Sequence, residues 1–283
     1  INFLSRFFPP LYISHITGIR SSTTGKEIEG WFVACPFTPQ RMMTLPARMV
    51  YRKISATAKK AQSLGARLVG LGAYTSVVGD GGITIGRTVE IPVTTGDSYT
   101  VAIAVEALKK AAEQMGIDLS TATAAVVGAT GAIGAVSAEM LAQAVPQIIL
   151  IGRRPERLMQ VKARCEAAGA EVQVATDLNA LRQADMILTV TSAMDSVIEQ
   201  RDDVLVIEGG MVEVPGDVDF HFNFGFPPRM AYACMAEAMA LALDGRYESY
   251  TLGKDLTIEK VQEIDRVARY HGFTLGGFRS FEK

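Results

Sequence analysis

Short runs of consecutive apolar residues recur through the middle of the chain, at 123–127 (TAAVV), 147–151 (QIILI), 171–175 (EVQVA), 185–190 (DMILTV) and 203–207 (DVLVI). Helix-length stretches separate them. Runs this short, bounded by turn residues and lacking a polar face, read as strands buried on both sides of a parallel sheet. The repeat predicts a doubly wound, Rossmann-type sheet whose ligand crevice lies at the carboxyl ends of its strands. Ahead of it, 11–20 and 27–34 read as strands joined by a turn at Thr23-Thr24-Gly25-Lys26. A helical pattern runs from Pro39 to Leu64, "ARLVGLG" reads as a short strand, and 76–96 is glycine-rich and β-like. An amphipathic helix then begins at an N-cap candidate, Asp97 or Ser98, and ends at Gly116. Past Pro227 and Pro228, helices at 229–244 and 257–271 are predicted to return the chain to its N-terminal part. The fold class is α/β: an N-terminal α/β lobe with its linker helix (1–115), a Rossmann-type dinucleotide domain (116–225) and completing C-terminal helices (226–283).

Composition narrows the partners. A net charge of −2, with basic and acidic residues interspersed, gives no broad electrostatic footprint for nucleic acid or an anionic membrane. Charged or amide residues interrupt every apolar stretch before the roughly 20 residues of a membrane span. Three cysteines and three histidines, without a C-x-x-C pair, speak against a disulfide framework or a zinc site. The opening INFLSRFFPP has no secretory pattern, so the cytoplasm is the expected compartment.

In "VVGATGAIGAV", Gly128, Gly131 and Gly134 follow a predicted strand and open a predicted helix. Glycines there permit a tight turn, and the helix start offers free N–H groups to a pyrophosphate. Thr130, Ala132 and Ile133 complete that loop as candidate cofactor contacts. The second strand ends in "LIGRRPERL", where an NAD-selective site would carry a carboxylate; Arg153 and Arg154 instead suit a 2′-phosphate and favour NADPH. Thr191 and Ser192, after the fourth strand, are candidates for the nicotinamide end. A ligand-free glycine turn and a solvated arginine cluster are the plainer alternatives.

Cys234 lies in the alanine- and methionine-rich stretch RMAYACMAEAMALALDG. A helical cysteine is more often a small core residue than a nucleophile. A helix start after Pro227 and Pro228 puts it in the first two turns, where the helix N-terminus favours a thiolate, and Arg229 is near in sequence. Cys35 and Cys165 read as structural.

The stretches TTGKEIEG, LGAYTSVV, TTGDSYTVAIAVEALKKAAEQMGID, AAVVGATGAIG, GRRPERL, YACMAEAMALALDG, LTIEKVQEI and HGF follow one another along nearly the whole chain. In these it resembles the cyanobacterial long-chain acyl-[acyl-carrier-protein] reductases, which make fatty aldehydes from acyl thioesters with NADPH. The resemblance implies that Cys234 accepts the acyl group and that an acyl thioester, on acyl-carrier protein or CoA, is the substrate. It points to Ser76, Thr75 and Tyr74, or Ser98 and Tyr99, as donors to the reacting carbonyl. Glu237, three residues beyond Cys234, would orient a donor or pair structurally. His271 reads as an acid–base candidate or a cap. The chain departs from the family in a later start, in the glycine-rich GDGGITIG and in a shorter connection before the cysteine helix; these leave chain length and carrier open.

Two other readings fit the same outline. A shikimate-dehydrogenase-like enzyme would reduce a small keto acid with a Lys/Asp pair, for which Lys53, Lys59, Lys60 and Asp97 are the candidates. A non-catalytic NADPH-binding protein would keep the glycine loop and the arginines without a reactive thiol.

Overall fold

β1 (Leu11–Arg20) and β2 (Glu27–Ala34) pair as an antiparallel hairpin in the computed structural model of the chain, which describes residues 8–190, 204–207 and 209–279. Gly25 supplies the positive φ of the hairpin turn, at 69°. The helical pattern expected from Pro39 to Leu64 is two helices, α1 (Pro39–Thr44) and α2 (Ala47–Ser63). Pro46 divides them, since it has no amide with which to continue α1. Val50, Ile54 and Ala58 on the inner side of α2 share a core with Phe37, Met42, Leu71, Ile85 and Val93.

β3 (Val69–Gly70) runs parallel to β4 (Val93–Thr94). The intervening residues, β-like in sequence, form α3 (Tyr74–Val77) and α4 (Ile83–Thr88). Asp80 decides this locally: its carboxylate accepts hydrogen bonds from the Thr84 amide and hydroxyl and so starts a helical turn. Burial of Ile85 and Val89 in the same core then outweighs their strand propensity.

α5 (Asp97–Gln114), β5 (Thr123–Val127), α6 (Ala132–Ala142), β6 (Gln147–Ile151), α7 (Pro155–Ala167), β7 (Glu171–Ala175), a 3-10 helix (Leu178–Gln183), β8 (Met186–Thr189) and β9 (Leu205–Ile207) follow. The five strands are parallel in the order β7-β6-β5-β8-β9. Counted from β5 this is 3-2-1-4-5, the Rossmann order. Ala124, Val126, Ile148 and Leu150 face the side that α6 and α7 cover, with α5 against β8 and β9. On the opposite side Ala125, Val127, Ile149, Ile151 and Ile187 pack on Leu181 and Ala184, so the crossover from β7 to β8 is a short 3-10 helix.

β10 (Gly209–Glu213), β11 (Met230–Tyr232), α8 (Ala233–Asp244), α9 (Ile258–His271) and β12 (Thr274–Arg279) complete the described chain. The helix expected from 229 begins four residues later. Arg229 has φ 65° and its carbonyl accepts from the Val214 amide, which keeps 230–232 extended. Contacts divide the chain into one unit of Ile1–Gly96, Glu213–Asp255 and Glu263–Thr274, and another of Asp97–Val212, Leu256–Gln262 and Leu275–Lys283. The divisions thus fall at Gly96 and Val212, where the sequence suggested 115 and 225. α5 belongs with the parallel sheet because Ile103, Ala107 and Leu108 are buried along it. Residues 213–225 belong with the hairpin, which they meet through Thr17–Asp219 and the Arg20 amide to the Pro215 carbonyl.

Leu150, fully buried in β6, measures the central sheet. Leu150→Ala is expected to cost about 2–5 kcal/mol, read as a lower urea midpoint with an unchanged slope.

Candidate functional site

Within the first unit the β1–β2 hairpin, α2, β3, α3 and α8 enclose a cavity of about 940 Å³. Its wall is mainly aliphatic and aromatic, including Trp31, Phe32, Ile54, Leu71 and Met239. That volume is at the upper end of small-molecule sites. α8 contributes Cys234, Met235, Ala238, Met239 and Ala242, one face of the helix along about 12 Å of its axis. Trp31 is stacked on His15, with ring centroids 5.5 Å apart, and Arg67 lies 3.7 Å from the Tyr247 ring centroid.

Cys234 is the second residue of α8, nearer the helix start than the sequence suggested. The N-cap, Tyr232, makes no side-chain capping bond. The sulfur therefore stands at the positive end of a 12-residue helix, a setting that favours a thiolate. Lys26 holds the other end of α8 by donating to the Ala242 and Leu243 carbonyls at 2.9 and 2.8 Å. Arg229 is ion-paired with Glu213 at 3.1 Å.

Gly96 and Gly70 let the strands approach this turn. A Cβ on Gly96 would lie 2.3 Å from the Cys234 Cα and 2.4 Å from its carbonyl oxygen, and φ at Gly96 is 79°. A Cβ on Gly70 would lie 3.2 Å from the Ala238 Cβ. Glu237 is fully buried and is not on the cavity wall. It accepts from the hydroxyls of Thr94 and of Thr251, the latter at 3.1 Å, while the Thr251 carbonyl accepts from the Thr95 amide. Glu237 thereby ties α8 to the strand that leads into Gly96.

The other candidates are dispersed. Thr75 and Tyr74 line the cavity; Ser76 does not, and its hydroxyl donates to the Ala73 carbonyl. Ser98 and Tyr99 are buried in the first turn of α5, in the other unit. His271 is 1% exposed, with Nδ1 2.9 Å from the Ser21 hydroxyl and Nε2 3.3 Å from Asp244, which makes it a buried tie at the end of α9.

Cys35 lines the same cavity as Cys234, and burial pushes its thiol pKa up. Local sequence around Cys35 gave no sign of this. The sequence carries a more legible signal elsewhere: Phe220, Phe222, Phe224 and Phe226 recur with period two, and Phe220, Phe222 and Phe224 cluster with Phe32 of the cavity wall. Cys165 is buried in α7, and its thiol is pushed up to about 11, first by burial and then by Glu139. Among the described residues no group of three or more His, Cys, Asp or Glu is placed to hold a metal ion, and no helix is long and apolar enough to cross a membrane.

In the second unit the glycines of the β5–α6 turn take distinct roles. Gly128 has φ 88°, and its carbonyl accepts from the Gly131 amide. Gly131 is the N-cap of α6 and makes no side-chain capping bond, so the first-turn amides of Ala132, Ile133 and Gly134 have no intrahelical acceptor. A Cβ on Gly134 would lie 2.3 Å from the Gly128 carbonyl oxygen, so only glycine lets the helix start this close to the strand. Thr130 packs over Gly152 at the end of β6. Arg153 and Arg154 follow there, both exposed. This set fits a dinucleotide: amides for the pyrophosphate and two guanidiniums at the ribose strand. Thr191 and Ser192 lie outside the described residues.

Residues 109–208 match the shikimate/quinate 5-dehydrogenase family model. The chain is 29% identical to the long-chain acyl-[acyl-carrier-protein] reductase of Synechococcus elongatus, over 94% of this chain and 87% of that protein. It is 28% identical to the aminotransferase PigE of a Serratia species over 92% of its own length, but spans only 34% of PigE. Among solved structures, the L-tryptophan dehydrogenase of Nostoc punctiforme aligns with 81% of this chain and 65% of its own, at 12% identity and a TM-score of 0.34. The resemblance to the cyanobacterial reductase thus holds nearly end to end, and the coarse class supported is a nicotinamide-dependent oxidoreductase.

Two outcomes are expected from thiol chemistry. Near pH 8 a thiol of pKa about 11 is ionised in only about one molecule in a thousand, so Cys165 should be alkylated far more slowly than Cys234, as read by peptide mass spectrometry. Gly96→Ala should cost about 1–3 kcal/mol and change the alkylation rate of Cys234 while leaving that of Cys35 as it was; an unaltered Cys234 rate would show that the close contact is not made.

Proposed function

We propose that the chain reduces fatty acyl thioesters, carried on acyl-carrier protein or CoA, to aldehydes with NADPH through an acyl-enzyme on Cys234. The observation that carries this reading is the position of Cys234, at the positive end of α8 and on the wall of a mainly apolar cavity of about 940 Å³. The near full-length resemblance to an acyl-carrier-protein reductase supplies the substrate class.

The Cys234 thiolate attacks the thioester carbonyl, its sulfur–carbon bond forms, and the carrier sulfur leaves and takes up a proton. The apolar wall holds the acyl chain and excludes water, which keeps the new thioester from hydrolysis. A reduced nicotinamide supplies the hydride when bound. The hemithioacetal left on Cys234 then collapses, its oxyanion re-forms a carbonyl, and the thiolate returns as the aldehyde departs. Of the AYTSVV side chains on the cavity wall, Thr75 donates its hydroxyl to the Gly72 carbonyl at 2.6 Å, which leaves the Tyr74 hydroxyl as the candidate donor to that oxyanion. Glu237 acts by positioning, through Thr94 and the strand before Gly96. In the other unit, the amides of Ala132, Ile133 and Gly134 would take the pyrophosphate, and Arg153 and Arg154 the 2′-phosphate.

The family model over 109–208 favours a second reading, an enzyme of the shikimate-dehydrogenase kind acting without a covalent step. That match covers the dinucleotide domain and none of the residues around the cavity.

Incubation with acyl-CoA in the absence of NADPH is expected to add one acyl mass to the intact protein and none to Cys234→Ala. No adduct over a range of chain lengths removes the reductase reading, and shikimate oxidation with NADP would then establish the second. Replacing Arg153 and Arg154 by Ala should raise KM for NADPH about 10- to 100-fold, the loss of one or two charge-assisted contacts, with KM for NADH little changed.

A further inference from the structure

From Gly30 to Gly79 the chain has seven of its 28 basic residues, Arg41, Arg48, Arg52, Lys53, Lys59, Lys60 and Arg67, and none of its 30 acidic ones. The folded chain sorts these cations. Lys53 donates to the Phe8 carbonyl and lies over the Phe37 ring, Arg41 lies over the same ring, and Arg67 is over Tyr247. Arg48, Arg52, Lys59 and Lys60 are exposed on α2, and among the described residues none of them has an ion pair. The spacing of Arg48, Arg52 and Lys59, four and then seven residues, aligns them on one face for about 16 Å. The opposite face of the same helix, Ile54, Thr57, Ala58 and Ala61, lines the cavity that holds Cys234. Gln62 and Glu90 are bonded at the C-terminal end of α2, and Arg87 of α4 adds a further cation.

Like charges four residues apart on a helix repel. A stripe of them without ion pairs among the described residues leaves a local positive field that favours a partner of opposite charge. We propose that the outer face of α2 is the docking surface for the acidic carrier protein that delivers the acyl thioester. The proposal rests on the reductase reading: under it, a carrier protein that bears the acyl group is a macromolecule that the reaction itself brings to the cavity. Complementary charge would raise the rate of encounter and orient the carrier before the thioester enters.

The test compares carriers on the full chain. In the triple variant Arg48→Glu, Arg52→Glu, Lys59→Glu, KM for acyl-carrier protein should rise at least about tenfold, while KM for acyl-CoA stays within about twofold. The variant Arg48→Gln, Arg52→Gln, Lys59→Gln should fall between, and added salt should erase the wild-type advantage. Biolayer interferometry with unacylated holo carrier protein reads docking without turnover: wild type binds and the reversed variant does not. Unchanged carrier KM and binding in the reversed variant overturn the proposal, as does an equal loss with acyl-CoA. Loss of binding to anionic phosphatidylglycerol vesicles with an unchanged carrier KM also overturns it, in favour of a lipid surface. If neither thioester acylates Cys234, the reductase reading has failed; the interferometry still decides the surface, which stands only if reversal abolishes carrier binding.

Discussion

Gly96 lies against the backbone of Cys234 so closely that the smallest side chain would collide with the Cα, the carbonyl oxygen and the Cβ of the cysteine. Much of the arrangement around the cavity follows from this approach. It sets the height of the first turn of α8 on the β3–β4 pair, and with it the point where the thiol meets the cavity wall. The second glycine, Gly70, lets the next turn of α8 settle on the neighbouring strand through Ala238. In the role proposed for Cys234 a small shift would cost catalysis steeply, and a backbone contact is a firmer way to place the residue than a mobile side chain would be.

Glu237 serves the same geometry from behind the helix. A carboxylate taken wholly out of water is costly unless hydrogen bonds replace the lost solvent. Here two threonine hydroxyls from separate segments do so, Thr94 from β4 and Thr251 from beyond α8. Such bonds are directional, so they hold α8 in one rotation as apolar packing alone would not. That rotation turns Cys234 and Met235 toward the cavity and Glu237 away from it.

The two units differ in how far their chemistry could be read in advance. Each strand of the parallel sheet lies within two residues of its sequence position: β5, β6, β8 and β9 are mainly apolar, as strands buried on both faces need, and β7, at the edge, alternates, with Glu171 and Gln173 exposed. The glycine loop was legible for a related reason: glycine spacing reports backbone shape directly. The cavity was not legible in that way. Cys35 and Cys234 stand about 200 residues apart, and nothing local to either announces a common wall. Cys234 emerged only when the helix start and the family resemblance were combined. The misread segments have local causes: Pro46 interrupts one helix, Asp80 starts another inside β-like sequence, and the left-handed Arg229 delays α8.

The unit that holds the cavity is assembled from stretches interrupted by residues 97–212, the main part of the parallel-sheet unit. On the ribosome the hairpin, α2 and β3 emerge first, but the helix that closes the wall comes about 150 residues later, on the order of ten seconds at ordinary rates of synthesis. During that interval Ile54, Leu71 and Trp31 have no α8 to cover them, while the intervening residues 97–212 are being made. The nascent chain therefore exposes that apolar surface until α8 is made, and transiently exposed apolar surface is what opens a partly made unit to aggregation.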